Sequence, residues 1–166
     1  MPKLSVFLFF SLFIFSCSNE PSLKIIQGEI YGTTWQLKYS SDEDEVPIKA
    51  IVISELNRID KLFSHYKDDS LTSLINKNKI AYKDVAEEWK KLDKVGWDVH
   101  QQSNGYFNHK VSGDYDFNSF AKGYAVDKVS NILKANNINN FMVEIGGELR
   151  FEGLNNSKPW AFAIED

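Results

Sequence analysis

The stretch that begins at Asp116 reads DFNSFAKGYAVD, and it brings together a carboxylate, a lysine and a glycine at the start of a predicted helix. The free backbone N–H groups at such a start can face an anion. Gly123 costs the helix up to about 1 kcal/mol relative to Ala, so its presence points to close approach of a ligand or of another backbone segment. Taken alone, the stretch favours a simpler interpretation, a helix capped by Asn118 or Ser119 with Lys122 in solvent.

A pair of glycines, Gly146 and Gly147, follows a predicted strand. Paired glycines mark a bulge, the start of a hairpin, or a site where a flat ligand lies against bare backbone. Further segments place aromatic and polar residues at predicted junctions between elements, where functional sites tend to lie. They are residues 31–35, 64–70 and 105–108. Each of these segments alone is also compatible with a structural role.

The overall composition excludes several classes of protein. The chain has 166 residues, of which 43% are apolar and 25% charged, which fits one folded domain and not a disordered tail. Its net charge of −4 argues against an electrostatic nucleic-acid binder, and its single cysteine excludes a disulfide framework or a cysteine-rich zinc site. Zinc-type histidine pairs, P-loops and nucleophile elbows are absent from the sequence. His65, His100 and His109 are interpreted as surface or packing residues.

The elements that must position these segments are mixed α and β. Predicted strands cover residues 24–31, 33–39, 139–144, 149–151 and 160–164, and predicted helices cover 47–64, 71–76, 84–104 and 119–135. Asp84 and Glu87 have capping-box spacing at the start of the third helix. The last two strands are expected to form a terminal hairpin. Because helices and strands do not alternate strictly, the fold class is predicted as α+β.

Apolar periodicity predicts which face of each helix is buried. In the first helix, a residue at every third or fourth position is apolar, as in Ile48, Ile51, Val52, Leu56, Ile59, Leu62 and Phe63. The third helix is expected to bury Val85, Trp89, Leu92, Val95 and Val99. The fourth helix is expected to turn Phe120, Tyr124, Val129, Ile132 and Leu133 inward.

The N-terminal residues have the composition of a targeting signal. Lys3 gives a positive start, and the apolar run after it is too short for a membrane-spanning helix, which needs about 20 residues. The letters IFSC at its end resemble a bacterial lipobox, whose cysteine is lipidated and becomes the new N-terminus. The alternative is an ordinary cleaved signal with a chance cysteine. We expect a signal peptide over residues 1–16, a lipidated Cys17 that carries palmitate, and a tether over residues 17–23.

This anchor predicts a protein of the cell envelope that is held on the membrane, the inner membrane in the first instance, and faces the periplasm or the exterior. The folded domain is then expected over residues 24–166.

Six ordered segments of this domain together resemble the ApbE family, the FAD:protein FMN transferases. The family pattern runs roughly as Y-G-T-x-W, then I-D with S-x-Y-x-x-x-S, G-x-F-D, D-L-S-x-x-x-K-G-Y-A-x-D, V-x-I-G-G-E-L and P-W-x-x-x-I-E. The corresponding residues here are 31–35, 59–70, 105–108, 116–127, 143–149 and 159–165. The resemblance spans residues 24–166, and the order of the segments makes it specific.

The resemblance implies an ApbE-like α+β fold, in which helices pack on an antiparallel or mixed sheet. It implies an enzyme that cuts the pyrophosphate of FAD, places FMN on a Ser or Thr hydroxyl of an acceptor protein and releases AMP. The acceptor would be a flavoprotein, for example a subunit of a redox-driven ion pump, and no nucleic-acid partner is expected. A pyrophosphate under attack needs its charge neutralised, so Mg²⁺ is the implied cofactor and FAD the implied substrate.

The resemblance also implies roles for individual residues. The positions that match FAD contacts are Tyr31, Tyr66, Tyr106, Phe107, Asn108, Asp116, Lys122, Gly146 and Gly147. Aromatic side chains would supply stacking faces for the ring systems of FAD, and the two glycines would let backbone lie against the ligand. Ser119 matches the metal-ligating position, through its backbone carbonyl oxygen. The sequence does not identify a general base or any other catalytic side chain.

The sequence departs from the family pattern in three ways. Asn108 replaces the aspartate of G-x-F-D, which removes a charge. Few residues separate Asn108 from Asp116, which predicts a compact variant with a less covered site. The sequence ends at Asp166, so the H-x-x-x-P and A-D-x-x-x-T segments of the family have no counterpart in it. We therefore expect a truncated coding sequence or a fragment that carries about half of the active site.

Two other functions stay open from the sequence. An FAD pyrophosphatase would use water in place of the acceptor hydroxyl and would yield FMN and AMP. A non-catalytic flavin-binding lipoprotein is consistent with Asn108 and with the incomplete set of family segments. A purely structural lipoprotein would not need six ordered motifs.

Overall fold

The structure is a computed structural model that describes residues 22–41 and 45–163. Its strands are β1 (Leu23–Ile30), β2 (Thr33–Ser40), β3 (Lys110–Val111), β4 (Asp114–Tyr115), β5 (Phe141–Ile145) and β6 (Glu148–Glu152). Its helices are α1 (Glu45–Phe63), α2 (Leu71–Asn76), α3 (Glu87–Gln102) and α4 (Ala121–Ala135). The predicted signal peptide, Cys17 and most of the predicted tether lie outside the described residues. Within these two ranges, no helix is long and apolar enough to cross a membrane.

The four larger strands form one antiparallel sheet in the order β1-β2-β5-β6. Alternate residues of its central strands are fully buried, namely Trp35, Leu37 and Tyr39 in β2 and Phe141, Val143 and Ile145 in β5. This alternation is typical of a sheet with one covered face, and α1 and α4 cover it here. The short β3 and β4 form a separate hairpin.

Helix α1 follows the predicted apolar stripe. Ile48, Val52, Leu56, Ile59 and Phe63 are buried at spacings of three and four residues, whereas Ile51 is 41% exposed. The stripe turns the end of α1 toward the start of α4, which is where the candidate site lies.

The predicted buried face of α3 is wrong in its second half. Val95 and Val99 are 49% and 40% exposed, and Asp93 and Gly96 are buried instead. The reason is a buried polar pair, because Asp93 Oδ1 lies 2.7 Å from Nε2 of His109, whose side chain has no exposed surface. A polar contact therefore decides the buried face of α3.

The predicted helix caps of α3 and α4 are also wrong. Asp84 lies in a 3-10 turn, and α3 begins after Ala86 without a side-chain cap. Helix α4 begins after Phe120, again without a side-chain cap. Asn118 does not cap α4, because its side-chain amide donates to the Tyr66 hydroxyl at 3.1 Å instead.

The predicted terminal hairpin is replaced by a different pairing. Strand β6 pairs with β5, and the loop between them consists of Gly146 and Gly147 with φ of +54° and +91°. Left-handed conformations at both positions suit a two-residue hairpin turn, which confirms the hairpin reading of the glycine pair. Residues 160–163 form no strand, and Trp160 instead donates its ring N–H to the Glu152 carbonyl at 3.1 Å. Ile164 lies outside the described residues.

A polar clamp joins the three helices around the site. Arg58 of α1 donates to both Glu55 and Glu88, and the Tyr124 hydroxyl of α4 donates to Glu88. The Arg58 hydrogen bond is the main cause that lowers the pKa of Glu88 to about 2. Glu88 therefore stays ionised at physiological pH and holds α1 and α4 against α3.

Candidate functional site

A cleft of about 300 Å³ opens between the β1–β2 turn, the end of α1 and the start of α4. We call it the central cleft, and it is lined by Tyr31, Thr33, Ile59, Asp60, Phe63, Ser64, Tyr66, Asn118, Ala121 and Lys122. It continues into a more open groove of about 990 Å³ that is bounded by the β1–β2 turn and residues 64–67. Volumes of this order are typical of sites for small molecules and cofactors.

Tyr31 forms one wall of the central cleft. Tyr31 and Gly32 both have positive φ, +56° and +71°, and make the tight turn between β1 and β2. The Tyr31 hydroxyl donates to the Leu56 carbonyl oxygen at 2.8 Å. Burial, followed by the charges of Asp60 and Glu55, raises the pKa of Tyr31 above its usual range. Tyr31 therefore stays protonated and offers its ring, not its hydroxyl, to the cleft.

Asp60 places a carboxylate at the base of the cleft. It lies on the buried face of α1 and is 6% exposed. Lys67 forms an ion pair with it from the loop after α1. A buried carboxylate needs such a partner, and this pair ties the loop to the helix.

The loop between α1 and α2 is held by its own serines. Ser64 Oγ accepts from the backbone N–H groups of Tyr66 and Lys67, both at 3.3 Å. Ser70 accepts from Ser73 N–H at 3.1 Å as the cap of α2, and its hydroxyl donates to the Ser64 carbonyl. The two serines of the S-x-Y-x-x-x-S pattern therefore close the loop that presents Tyr66.

The start of α4 opens into the central cleft. Ala121 and Lys122 of its first turn line the cleft, and no side chain caps the helix, so the partial positive charge of its N-terminus lies beside the cleft. Lys122 Nζ donates to the Gly146 carbonyl at 3.0 Å, so this side chain is half-buried and not free in solvent, contrary to the expectation from the stretch alone. A Cβ at Gly123 would meet no atom within 4 Å, so no described segment approaches it.

Gly146 and Gly147 differ in their surroundings. A Cβ at Gly146 would lie 2.7 Å from Cγ2 of Thr33 and 3.2 Å from Cδ of Lys122, so this glycine lets two cleft-lining side chains reach the turn. Gly147 is exposed, and its N–H donates to Glu144 Oε1 at 2.7 Å.

Asp116 lies beside the central cleft and does not line it. Its Oδ1 accepts from Asn118 N–H at 2.8 Å and lies 3.3 Å from Nδ1 of His65. Asp116 and His65 border a second cavity of about 360 Å³ on the far side of the loop. Of the residues predicted to contact FAD, the structure brings Tyr31, Tyr66 and Lys122 into one cleft and places Asp116 next to it.

The other predicted FAD contacts lie outside the cleft lining. Tyr106 is 97% exposed, and Asn108 is exposed with its Oδ1 accepting from Lys110 N–H at 2.9 Å. Phe107 is half-buried, and its ring lies 5.9 Å from that of Phe120, directly before α4. This segment therefore contacts the residue directly before α4 and does not line the cleft.

The described residues do not by themselves form a metal centre. Within residues 22–41 and 45–163 no group of three or more His, Cys, Asp or Glu side chains is placed to hold a metal ion. Ser119, the predicted metal ligand, is exposed in the turn before α4.

The predicted site residues leave out four polar residues that line the central cleft. They are Thr33, Asp60, Ser64 and Asn118. Asp60 had a visible signal, because a carboxylate on the apolar stripe of a helix is unusual unless it is paired. Asn118 had none, since a polar residue before a helix is first interpreted as a cap.

Both the sequence and the fold of this chain are similar to those of known proteins. The ApbE family model matches residues 31–113 and 112–166. The chain is 39% identical over 80 residues to the FAD:protein FMN transferase of Haemophilus influenzae, which covers 48% of this chain and 23% of that protein. It is 26% identical to the FAD:protein FMN transferase of Buchnera aphidicola, over 96% of this chain and 63% of that protein. The chain thus spans less than two thirds of these curated relatives.

Solved structures support the same fold. The chain superposes on the flavin transferase ApbE from Vibrio cholerae with a TM-score of 0.79 at 22% identity, over 87% of this chain and 64% of that chain. It superposes on the flavinyl transferase ApbE of Pseudomonas stutzeri with a TM-score of 0.79 at 24% identity, over 87% and 66%. The predicted α+β fold with helices packed on an antiparallel sheet is thereby confirmed.

Proposed function

This chain belongs to the ApbE family, and from that premise we propose that it acts in the transfer of FMN from FAD to a Ser or Thr hydroxyl of an acceptor flavoprotein. The observation that carries the proposal is the central cleft, which the uncapped start of α4 lines together with Tyr31 and Tyr66. A helix N-terminus favours phosphate groups, and aromatic rings favour the planar ends of FAD. Both features lie in one concave site, as a dinucleotide requires.

The proposed step exchanges a phosphoanhydride bond of FAD for a phosphoester bond to the acceptor. The acceptor hydroxyl oxygen attacks the phosphorus on the FMN side of the FAD pyrophosphate and forms a new P–O bond. The bond from that phosphorus to the bridging oxygen breaks, AMP leaves with the electron pair, and the hydroxyl proton passes to solvent or a base. Lys122, held beside the cleft by the Gly146 carbonyl, would lower the energy of the charge that develops on the phosphates.

Dependence on Mg²⁺ is a separate part of the proposal. A divalent cation would offset the charge of the pyrophosphate, and the Ser119 carbonyl is the one predicted ligand within the described residues. Since these residues hold no acidic cluster for a metal, we assign no step to the ion.

A mass measurement tests the proposal. The protein is mixed with FAD, Mg²⁺ and a candidate acceptor, and the acceptor is expected to gain the mass of one FMN less water while AMP is released. AMP without a labelled acceptor would instead support the FAD pyrophosphatase. FAD binding with neither product would support a flavin-binding lipoprotein, and the absence of FAD binding would overturn the flavin proposal altogether.

A pair of lysine variants on α4 tests the cleft within this assay. Lys122→Ala is expected to slow transfer about tenfold or more, because it removes a cation beside the phosphates. Lys134→Ala is the matched control, since Lys134 lies in the last turn of the same helix and pairs with Glu152 at 3.1 Å. Equal rates for the two variants would contradict the role given to Lys122.

We also propose that the protein is anchored to the envelope membrane by a lipid on Cys17, after removal of residues 1–16, with residues 17–23 as tether. The lipobox-like letters IFSC support this proposal. Cys17→Ala is expected to move the protein from the membrane fraction to the soluble fraction, and unchanged fractionation would contradict the anchor.

A further inference from the structure

Four residues at the edge of the central cleft form a closed network of contacts, one of which is made by the backbone N–H of Asn118. The ring of His65 lies against that of Tyr66, with centroids 3.9 Å apart and planes tilted by 35°. Nδ1 of His65 lies 3.3 Å from Asp116 Oδ1 without forming a hydrogen bond, whereas Asn118 N–H donates to Asp116 Oδ1 at 2.8 Å. The Asn118 side-chain amide donates to the Tyr66 hydroxyl at 3.1 Å and completes the network.

Tyr66 is a largely exposed member of this network. It is 77% exposed, although its ring lies on His65 and its hydroxyl is held by Asn118. An exposed tyrosine normally samples several rotamers, and freezing it costs affinity when a ligand binds. The contacts from His65 and Asn118 fix the orientation of the Tyr66 ring in advance and leave much of its surface free at the edge of the cleft.

The loop backbone does not need the His65 side chain for its path. Ser73 Oγ donates to the His65 carbonyl at 3.2 Å, and Ser70 and Ser64 close the loop through their own hydroxyls. The polar and ring contacts of the His65 side chain are with Tyr66 and Asp116, the two residues that it joins. Its effect therefore falls on these two side chains and little on the fold.

We infer that His65 and Asn118 are positioning residues, which hold Tyr66 and Asp116 in place for a planar nucleotide ring that stacks on Tyr66. This inference rests on the proposed function, since the planar ring that stacks on Tyr66 would be the flavin or the adenine of FAD. His65 and Asn118 act through their neighbours and carry no catalytic step.

Binding and stability measured together test the inference. FAD is titrated into the wild type and into His65→Ala, Asn118→Ala and the control Asn139→Ala, with flavin fluorescence as the signal and urea unfolding as the second readout. Loss of either positioning residue is expected to weaken FAD binding about tenfold with an unchanged unfolding midpoint, because only preorganisation is lost. Asn139 is exposed and donates to Asn137, so its variant is expected to bind FAD as the wild type does.

Two further variants separate the individual contacts of the four-residue network. His65→Phe keeps a ring against Tyr66 and loses the contact with Asp116, so it is expected to restore part of the affinity that His65→Ala loses. The double variant of His65 and Asn118 is expected to lose less FAD affinity than the product of the two single losses, because both residues hold the same side chain, Tyr66. Titrations with FMN and with AMP in competition show which ring stacks, and an affinity loss for one of the two supports the inference.

The outcomes distinguish this inference from the proposed function. A wild type that binds FAD, with His65→Ala and Asn118→Ala variants that bind it equally well, would overturn the inference and leave the proposed function standing. A loss of FAD affinity matched by an equal loss of stability would also overturn it, since the contact network would then support the fold and not the binding site. A folded wild type that binds none of the three nucleotides would remove the proposed function and the inference with it.

Discussion

Within residues 22–41 and 45–163, two histidine–aspartate pairs occur, and their surroundings differ sharply. His109 and Asp93 are 2.7 Å apart with side chains 0% and 3% exposed. His65 and Asp116 are 3.3 Å apart with side chains 26% and 32% exposed. The residue types are identical, so solvent and neighbours decide what each pair does.

The buried pair joins α3 to the segment that carries several predicted FAD contacts. Asp93 also accepts from the Tyr82 hydroxyl at 2.9 Å, and the His109 ring packs against that of Phe107. The His109 carbonyl accepts from Asp116 N–H at 2.8 Å. The pair near the surface touches Tyr66 and faces a cavity. Burial thus makes one pair part of the framework, and exposure leaves the other open to a ligand.

Removal of His109 is expected to have the largest effect. His109→Ala leaves Asp93 buried without its main partner and opens a cavity among aromatic rings, so it is expected to lower the free energy of unfolding by about 3–5 kcal/mol. Urea denaturation at neutral pH measures this change.

The matched variant at the other pair is His65→Ala. Because that pair is partly exposed to solvent, the expected loss of stability is below about 1 kcal/mol. A His65→Ala variant as unstable as His109→Ala would break the comparison, since the exposed pair would then also be structural.

Much of the fold is predictable because local patterns decide it. The β1–β2 strands, helix α1 and the Ser70 cap of α2 follow from alternation, helical periodicity and a hydroxyl at the cap. The buried face of α3 is not predictable in this way. Asp93 is buried by a partner 16 residues away, and a polar contact at that distance leaves no periodic signal.

The same distinction between local patterns and long-range contacts applies to the candidate site. Tyr31, Tyr66 and Lys122 were predicted from the family pattern, and the structure brings them into one cleft. The positions of Asn118 and His65 depend on how the α1–α2 loop meets the segment before α4, across 52 residues in the case of Asn118 and Tyr66. Such contacts depend on the tertiary fold, so the sequence leaves Asn118 as a cap and His65 as a surface residue.

A smaller effect is expected at Gly96, which makes room for the buried pair. A Cβ at this position would lie 2.6 Å from Nδ1 of His109, and the ring is packed too tightly to move aside. Gly96→Ala is therefore expected to destabilise the protein by about 1–3 kcal/mol. The control is Gly123→Ala in α4, where a Cβ meets nothing within 4 Å and helix propensity predicts a gain of about 0.5–1 kcal/mol. A gain for both variants would show that His109 is loosely held.

The smallest effect concerns the pH dependence of the buried pair through Tyr82. Partial burial, followed by its hydrogen bond to Asp93, raises the pKa of Tyr82 from 10.0 to about 12. The contribution of this hydrogen bond to stability is complete below pH 10 and is lost as the pH rises toward 12, because the folded state holds the phenol proton more tightly than the unfolded state.

Tyr82→Phe removes this contribution at every pH. The variant is expected to be less stable than the wild type by roughly 1 kcal/mol at pH 8, and the difference should shrink between pH 10 and 12. Denaturation curves of both proteins across this range measure it, and the other tyrosines affect both proteins alike. A difference that stays constant across the range would mean that the Tyr82 hydroxyl does not sense the buried Asp93. No hydrogen bond would then connect Asp93 and His109 to the turn before α3, and packing alone would hold that turn against them.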